Sequence, residues 1–134
     1  MIVLDASAVI ELLLVTPTGV RVGHRISLPR ESLHAPHLLD VEVAQVLRRY
    51  LFTGALTQRR SEEALQDLMD MDVARYSHVE LLPRVWHLRR NVTAYDALYL
   101  ALAEALDVPL VTADSRIKRG GIARCKVEIF DTQI

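Results

Sequence analysis

Ile2-Val3-Leu4-Asp5-Ala6-Ser7-Ala8, almost at the start of the chain, decides the fold. An unbroken run of β-branched and leucine side chains suits a strand covered on both faces, as strands of a parallel sheet are. The run stops at an acid, and Ala8 to Leu14 then reads as a helix. A second such passage, Val108-Pro109-Leu110-Val111-Thr112, stands far downstream and also leads to an acid, Asp114. Its proline falls near the start, where a strand tolerates it.

Between these two runs, helical and strand-like segments alternate. Thr16 to Gly19 reads as a turn, Val20 to Leu28 as a weaker helix and Ser32 to Ala35 as a brief strand. Leu39, Val43, Val46, Leu47 and Tyr50 recur at helical spacing, which predicts an amphipathic helix over Leu38 to Phe52, closed by Gly54. Ser61 to Met71 reads as another helix with Ser61 as its N-cap, since Glu62 and Glu63 follow at once. Val73 to Val79 is expected as a strand and Leu82 to Arg90 as a helix. Thr93 is expected to cap a helix from Ala94 to Leu106, and Lys126 to Phe130 to form the last strand. Strands alternating with helices imply right-handed βαβ units, hence an α/β fold around a parallel sheet.

The 134 residues suit one domain spanning 1–134, and 51% of them are hydrophobic, enough for a core and too many for a disordered chain. A lone cysteine, Cys125, closes no internal disulfide and builds no cysteine-rich zinc site. A net charge of −1 does not mark the whole molecule as a nucleic-acid binder, so any such contact requires a local patch. No basic residue precedes the first apolar run, and Met1 to Leu14 carries Asp5 and Glu11, so neither a signal peptide nor a membrane span is expected. A soluble, cytoplasmic protein follows as the expectation. His24, His34, His37, His78 and His87 show no ligand spacing and read as surface or turn residues.

The acids carry the chemistry. Asp5 and Asp114 each follow the carboxyl end of a buried strand, where open α/β sheets bind ligands. Each alone is equally well read as the cap of the next helix. Asp96 lies in a helix that is otherwise almost all Leu and Ala, with Tyr99 and Leu100 on its face. The plain reading there is a capping box with Thr93. Glu42 borders the Leu39/Val43/Val46 stripe, a position also open to a snorkelling side chain, whereas Asp40 and Arg48 read as solvated surface. Four acids brought together without a counter-charge resist ionisation. An all-oxygen set with no His or Cys beside it suits Mg²⁺ or Mn²⁺, ions that serve phosphodiester hydrolysis.

Val3-Leu-Asp5-Ala-Ser7-Ala8, Glu42 in a mid-chain helix, Thr93-Ala-Tyr-Asp96-Ala-Leu-Tyr99 and Thr112-Ala-Asp114-Ser-Arg116 occur in that order. Together with the Leu81-Leu-Pro-Arg84…Trp86…Arg89-Arg90-Asn91 approach, they resemble PIN-domain ribonucleases, specifically VapC-type toxins of type II toxin–antitoxin modules. The resemblance spans essentially the whole chain. It implies a three-layer α/β/α PIN-like fold with a central, mainly parallel sheet. It also implies an endoribonuclease dependent on Mg²⁺ or Mn²⁺, with Asp5, Glu42, Asp96 and Asp114 as the catalytic, metal-binding quartet. Ser7, Thr93 and Thr112 would be supporting polar groups. A homodimer, inhibition by a cognate VapB-type antitoxin and a higher-order complex with it are implied likewise, with Val20–Leu28 and Leu38–Phe52 as candidate walls of the antitoxin site. One departure is Val15-Thr-Pro-Thr18, which lacks the acids often found before the glycine in this family.

The basic residues are 14 Arg and 2 Lys, a skew that suits phosphate recognition and equally reflects genome composition. Arg116, Lys118 and Arg119, directly after Asp114, together with Arg89 are the candidate RNA contacts. Aromatic residues make up only 5%, so no base-stacking platform is evident. A phosphoryl-accepting receiver domain would need an acidic pair after the first strand, and an Asp-x-Asp phosphatase fails because position 7 is Ser. A non-catalytic PIN-like RNA- or protein-interaction module remains as the alternative.

Overall fold

The computed structural model describes residues 1–120 and 123–131, without the side chains of 118–120. Five strands form one sheet: β1 (Ile2–Leu4), β2 (Leu33–Pro36), β3 (Val73–Tyr76), β4 (Leu110–Thr112) and β5 (Val127–Ile129), in the order β3-β2-β1-β4-β5. All four pairings are parallel, with Val3 opposite both His34 and Leu110. Ile2, Val3 and Leu4 are fully buried, as the opening run requires.

Six helices connect the strands: α1 (Ala6–Leu13), α2 (Pro17–Ile26), α3 (Leu38–Phe52), α4 (Gln58–Asp70), α5 (Leu82–His87) and α6 (Ala94–Leu106). Strand order fixes their layers. From β1 to β3 the sheet grows in one direction, and right-handed crossovers place α1 to α4 on one face. The chain then returns across β2 and β1 to lay down β4, so α5 and α6 cover the other face. Accordingly α6 packs on β1, β2 and β4, while α1 packs on α2 and α3. The order reverses between β1 and β4, and the crevice at their carboxyl ends is the topological switch point.

Gly19 makes one junction possible. A methyl group there would lie 1.9 Å from the Glu11 carbonyl oxygen, so α2 can approach the end of α1 only without a side chain. Gly19→Ala is expected to cost about 1 to 3 kcal/mol, as overpacking does. A thermal melt checks this, and an unchanged midpoint would refute the close approach.

The expected elements are present, with six corrections. Helix α2 begins at Pro17, inside the stretch read as a turn, because the Thr16 hydroxyl caps it by accepting the Gly19 amide at 2.9 Å. Helix α4 begins three residues earlier, capped by Thr57, whose hydroxyl accepts the Arg60 amide at 3.1 Å; Ser61 instead donates back to the Gln58 carbonyl inside the helix. Strand β3 ends at Tyr76 because a 3₁₀ turn follows at Val79–Leu81. Helix α5 stops at His87, burying Val85 and leaving Trp86 exposed. His34 is buried, with one ring nitrogen 2.6 Å from the Tyr76 hydroxyl and the other 2.8 Å from Ser32 Oγ. Asp40 is not simply solvated, since both its oxygens accept from Arg75. No single helix among the described residues is long and apolar enough to cross a membrane.

Candidate active site

At the switch point lies a cleft of about 320 Å³ whose lining includes Asp5, Glu42, Asp96 and Asp114. Four separate elements deliver these acids. Asp5 follows β1 and caps α1, its Oδ1 accepting the Ala8 amide at 3.0 Å. Capping and cleft position therefore coincide in one residue. The Ser7 hydroxyl donates to the same oxygen at 2.7 Å, and the Thr112 hydroxyl donates to Oδ2. Ser7 Oγ also accepts the Ala113 amide at 2.9 Å, and Thr112 Oγ1 the Asp114 amide at 3.0 Å. Ser7 and Thr112 thus lace the end of β1 to the end of β4 through the Asp5 carboxylate.

Asp114 stands beyond β4, bound by both its oxygens to the Arg116 guanidinium. Arg116 has 78% of its side chain exposed, so that pair is weakly held. Asp96 sits in the first turn of α6, whose cap Thr93 accepts the Asp96 amide at 3.2 Å. Glu42 projects from α3, where Glu42, Val46, Arg49 and Tyr50 share one face and line the cleft. Its Oε1 accepts a 2.6 Å hydrogen bond from the buried Tyr99 hydroxyl.

Burial and mutual repulsion raise the proton affinity of Asp5, Glu42 and Asp96. Burial pushes Asp5 from an ordinary 3.8 up to about 6, against its three hydrogen bonds, and the Asp96 charge adds to the rise. Asp96 is raised by burial and by the Asp114 charge, with Arg116 opposing. Glu42 is raised by burial, offset by the Tyr99 bond and reinforced by Asp96. Asp96 is thus electrostatically coupled to each of the other three. In kind and in charge the set fits a hard divalent cation: oxygen donors only, more negative charge than the protein neutralises, and hydroxyls that fix one carboxylate. Among the described residues, no three His, Cys, Asp or Glu side chains already converge on one ion position, so holding an ion requires some side-chain rotation.

Of the other candidates, Arg89 and Arg116 lie on the surface near the cleft, while the side chains of Lys118 and Arg119 fall outside the described residues. Sequence reasoning missed Arg49, Tyr50 and Tyr99 as cleft residues. The signal was available: positions 42, 46, 49 and 50 recur at helical spacing, and Tyr99 is three residues from Asp96. Tyr99→Phe leaves the Glu42 carboxylate without its buried donor. It is expected to lower stability at neutral pH by about 1 to 3 kcal/mol in denaturant titrations. An unchanged midpoint would show that the bond holds nothing in place.

Residues 2–122 match the PIN domain family. The chain is 43% identical over 129 residues to ribonuclease VapC9 of Mycobacterium tuberculosis, covering 96% of this chain and 98% of the relative. Ribonuclease VapC1 of the same organism is 41% identical over 129 residues, covering 95% and 96%. Two solved structures share the fold. PAE2754 from Pyrobaculum aerophilum superposes with a TM-score of 0.68 at 23% identity, over 96% of this chain and 83% of that one. VapBC2 from Rickettsia felis, bound to a DNA fragment from its promoter, gives 0.70 at 14% identity, over 96% and 98%. The α/β architecture is that of a PIN domain. The chain belongs to the PIN-domain family and, within it, to the VapC proteins.

Proposed function

We propose that the protein is an endoribonuclease toxin of a type II toxin–antitoxin pair, cutting RNA phosphodiester bonds with Mg²⁺ or Mn²⁺ held by Asp5, Glu42, Asp96 and Asp114. The observation that carries this reading is the convergence of Asp5, Glu42, Asp96 and Asp114, from four separate elements, on one cleft at the switch point of the sheet. Relatives at 41–43% identity are named ribonucleases, which supports the choice of RNA. A bound divalent cation would supply positive charge against the phosphate and acidify the attacking water.

The chain's own residues do the rest. Ser7, Thr112 and the Ala8 amide fix the Asp5 carboxylate in one orientation, and Tyr99 fixes Glu42. Arg116, paired with Asp114 at the rim, is placed to meet a phosphate. The same excess of negative charge suits a cationic antitoxin segment, and a toxin–antitoxin complex from Klebsiella pneumoniae has this fold at a TM-score of 0.66. A VapB-type antitoxin with Arg or Lys near its C-terminus would neutralise the acids while covering the cleft.

The test is purified protein with total RNA, with Mn²⁺, Mg²⁺ or EDTA, followed by mapping of the new ends. Discrete cuts that require metal and vanish on adding the product of a neighbouring small gene are expected. Intact RNA under every condition would leave a non-catalytic binding module instead.

A further inference from the structure

Beside the cleft runs a second groove, of about 610 Å³, that shares Glu42, Asp96 and Arg116 with it. Away from those shared residues, its lining includes Arg89, Arg90, Asn91 and Tyr95 and, among the described residues, no acid. The groove therefore passes from Glu42 and Asp96 to a wall of positive charge. Arg89 is held in place: its guanidinium lies 4.9 Å from the Trp86 ring centroid, and Nη1 donates to the Trp86 carbonyl at 2.9 Å. Tyr95 precedes Asp96 in the first turn of α6, and 60% of it is exposed. An exposed large aromatic beside arginines is the usual make-up of a single-strand nucleic-acid surface.

We propose that this groove holds a single-stranded stretch of the RNA next to the bond that is cut, with phosphate on Arg89 and Arg90 and a base stacked on Tyr95. This inference rests on the ribonuclease reading. The charge of the wall selects the occupant, since Arg89 and Arg90 attract a phosphate chain and repel the cationic antitoxin segment assigned to the acids. Exposure of the ring selects the strand state, because a paired base hides both its faces in the duplex stack. Tyr95 and Asp96 both line this groove and Asp96 also lines the cleft, so a base on the ring keeps its neighbouring phosphodiester close to the acids.

Binding of a short fluorescein-labelled oligouridylate, followed by anisotropy in EDTA so that nothing is cut, separates the groove from catalysis. Tyr95→Leu is expected to weaken binding by roughly 10-fold, and Tyr95→Phe or Tyr95→Trp to preserve it. Replacing Arg89 and Arg90 by Gln should flatten the dependence of log affinity on log salt by about 0.7 per arginine. In cleavage assays with metal, Tyr95→Leu should raise KM and leave kcat nearly unchanged, with an unaltered melting temperature. A Tyr95→Leu protein that binds like wild type, or a duplex that binds as tightly as the single strand, would overturn the groove. Wild type that cuts no RNA would overturn the ribonuclease reading, and the metal-free anisotropy would still decide whether the groove binds a strand.

Discussion

Asp96→Asn is expected to lower RNA cleavage by roughly 100-fold to 1,000-fold while the protein still folds. The substitution keeps the size of the side chain and the amide that Thr93 caps, so α6 retains its first turn. What disappears is a charge that raises the proton affinity of both Asp5 and Glu42. Asp114→Asn is a less clean variant, because it also forfeits the pair with Arg116. End-mapped cleavage of total RNA at equal protein concentration measures the effect. Wild-type rates from a folded Asp96→Asn protein would remove the acids from the reaction.

In the metal-free protein the cleft acids' own contribution to stability is expected to fall as pH rises from about 4 to about 6, against the opposite trend of Glu31 and Glu104, which their cationic partners hold below the usual carboxylate range. Asp5 titrates near 3.8 when unfolded and near 6 when folded, so over that window the folded state holds the extra proton. A raised folded-state value contributes stability at low pH that is lost as pH passes through it. At 1.36 kcal/mol per pH unit, Asp5 alone accounts for a loss on the order of 3 kcal/mol. Glu42 and Asp96, both raised, act in the same direction. A cation that binds only the folded, deprotonated cluster restores the loss, by about 2.7 kcal/mol at a free concentration about 100 times its dissociation constant. Melting curves at pH about 4 and about 7, with EDTA and with Mn²⁺, read both effects. Asp96→Asn should melt higher than wild type in EDTA at pH about 7 and respond little to Mn²⁺. A wild-type midpoint that Mn²⁺ leaves unmoved would mean that the acids act independently.

Where chemistry and local pattern agree, the chain is easy to read. The apolar runs at Ile2–Leu4 and Leu110–Thr112 are buried strands, each leading into an acid at the switch point. The amphipathic spacing of Leu38–Phe52 and the Thr93 cap also match the structure. Position along a single element was enough for these. The misread residues depend on partners far away in sequence or on elements without periodicity. Thr57 was overlooked as a cap because the first turn of α4, Gln58-Arg59-Arg60, has no apolar rhythm to announce it. His34 meets Tyr76 across two strands, and Asp40 meets Arg75 from 35 residues away, so neither contact shows in local spacing. Tyr95 went unremarked because a single aromatic has no pattern; only the groove around it gives the ring a setting.

Calorimetric titration of Mn²⁺ into the wild-type protein and into Asp5→Asn, Glu42→Gln, Asp96→Asn and Asp114→Asn tests most directly whether four acids form one ion-binding centre. The account predicts that wild type binds Mn²⁺, that Asp5→Asn and Asp96→Asn weaken it most, by about 10-fold or more, and that every variant stays folded. Wild type that takes up no Mn²⁺, or Asp5→Asn and Asp96→Asn proteins that bind it as tightly as wild type, would contradict it.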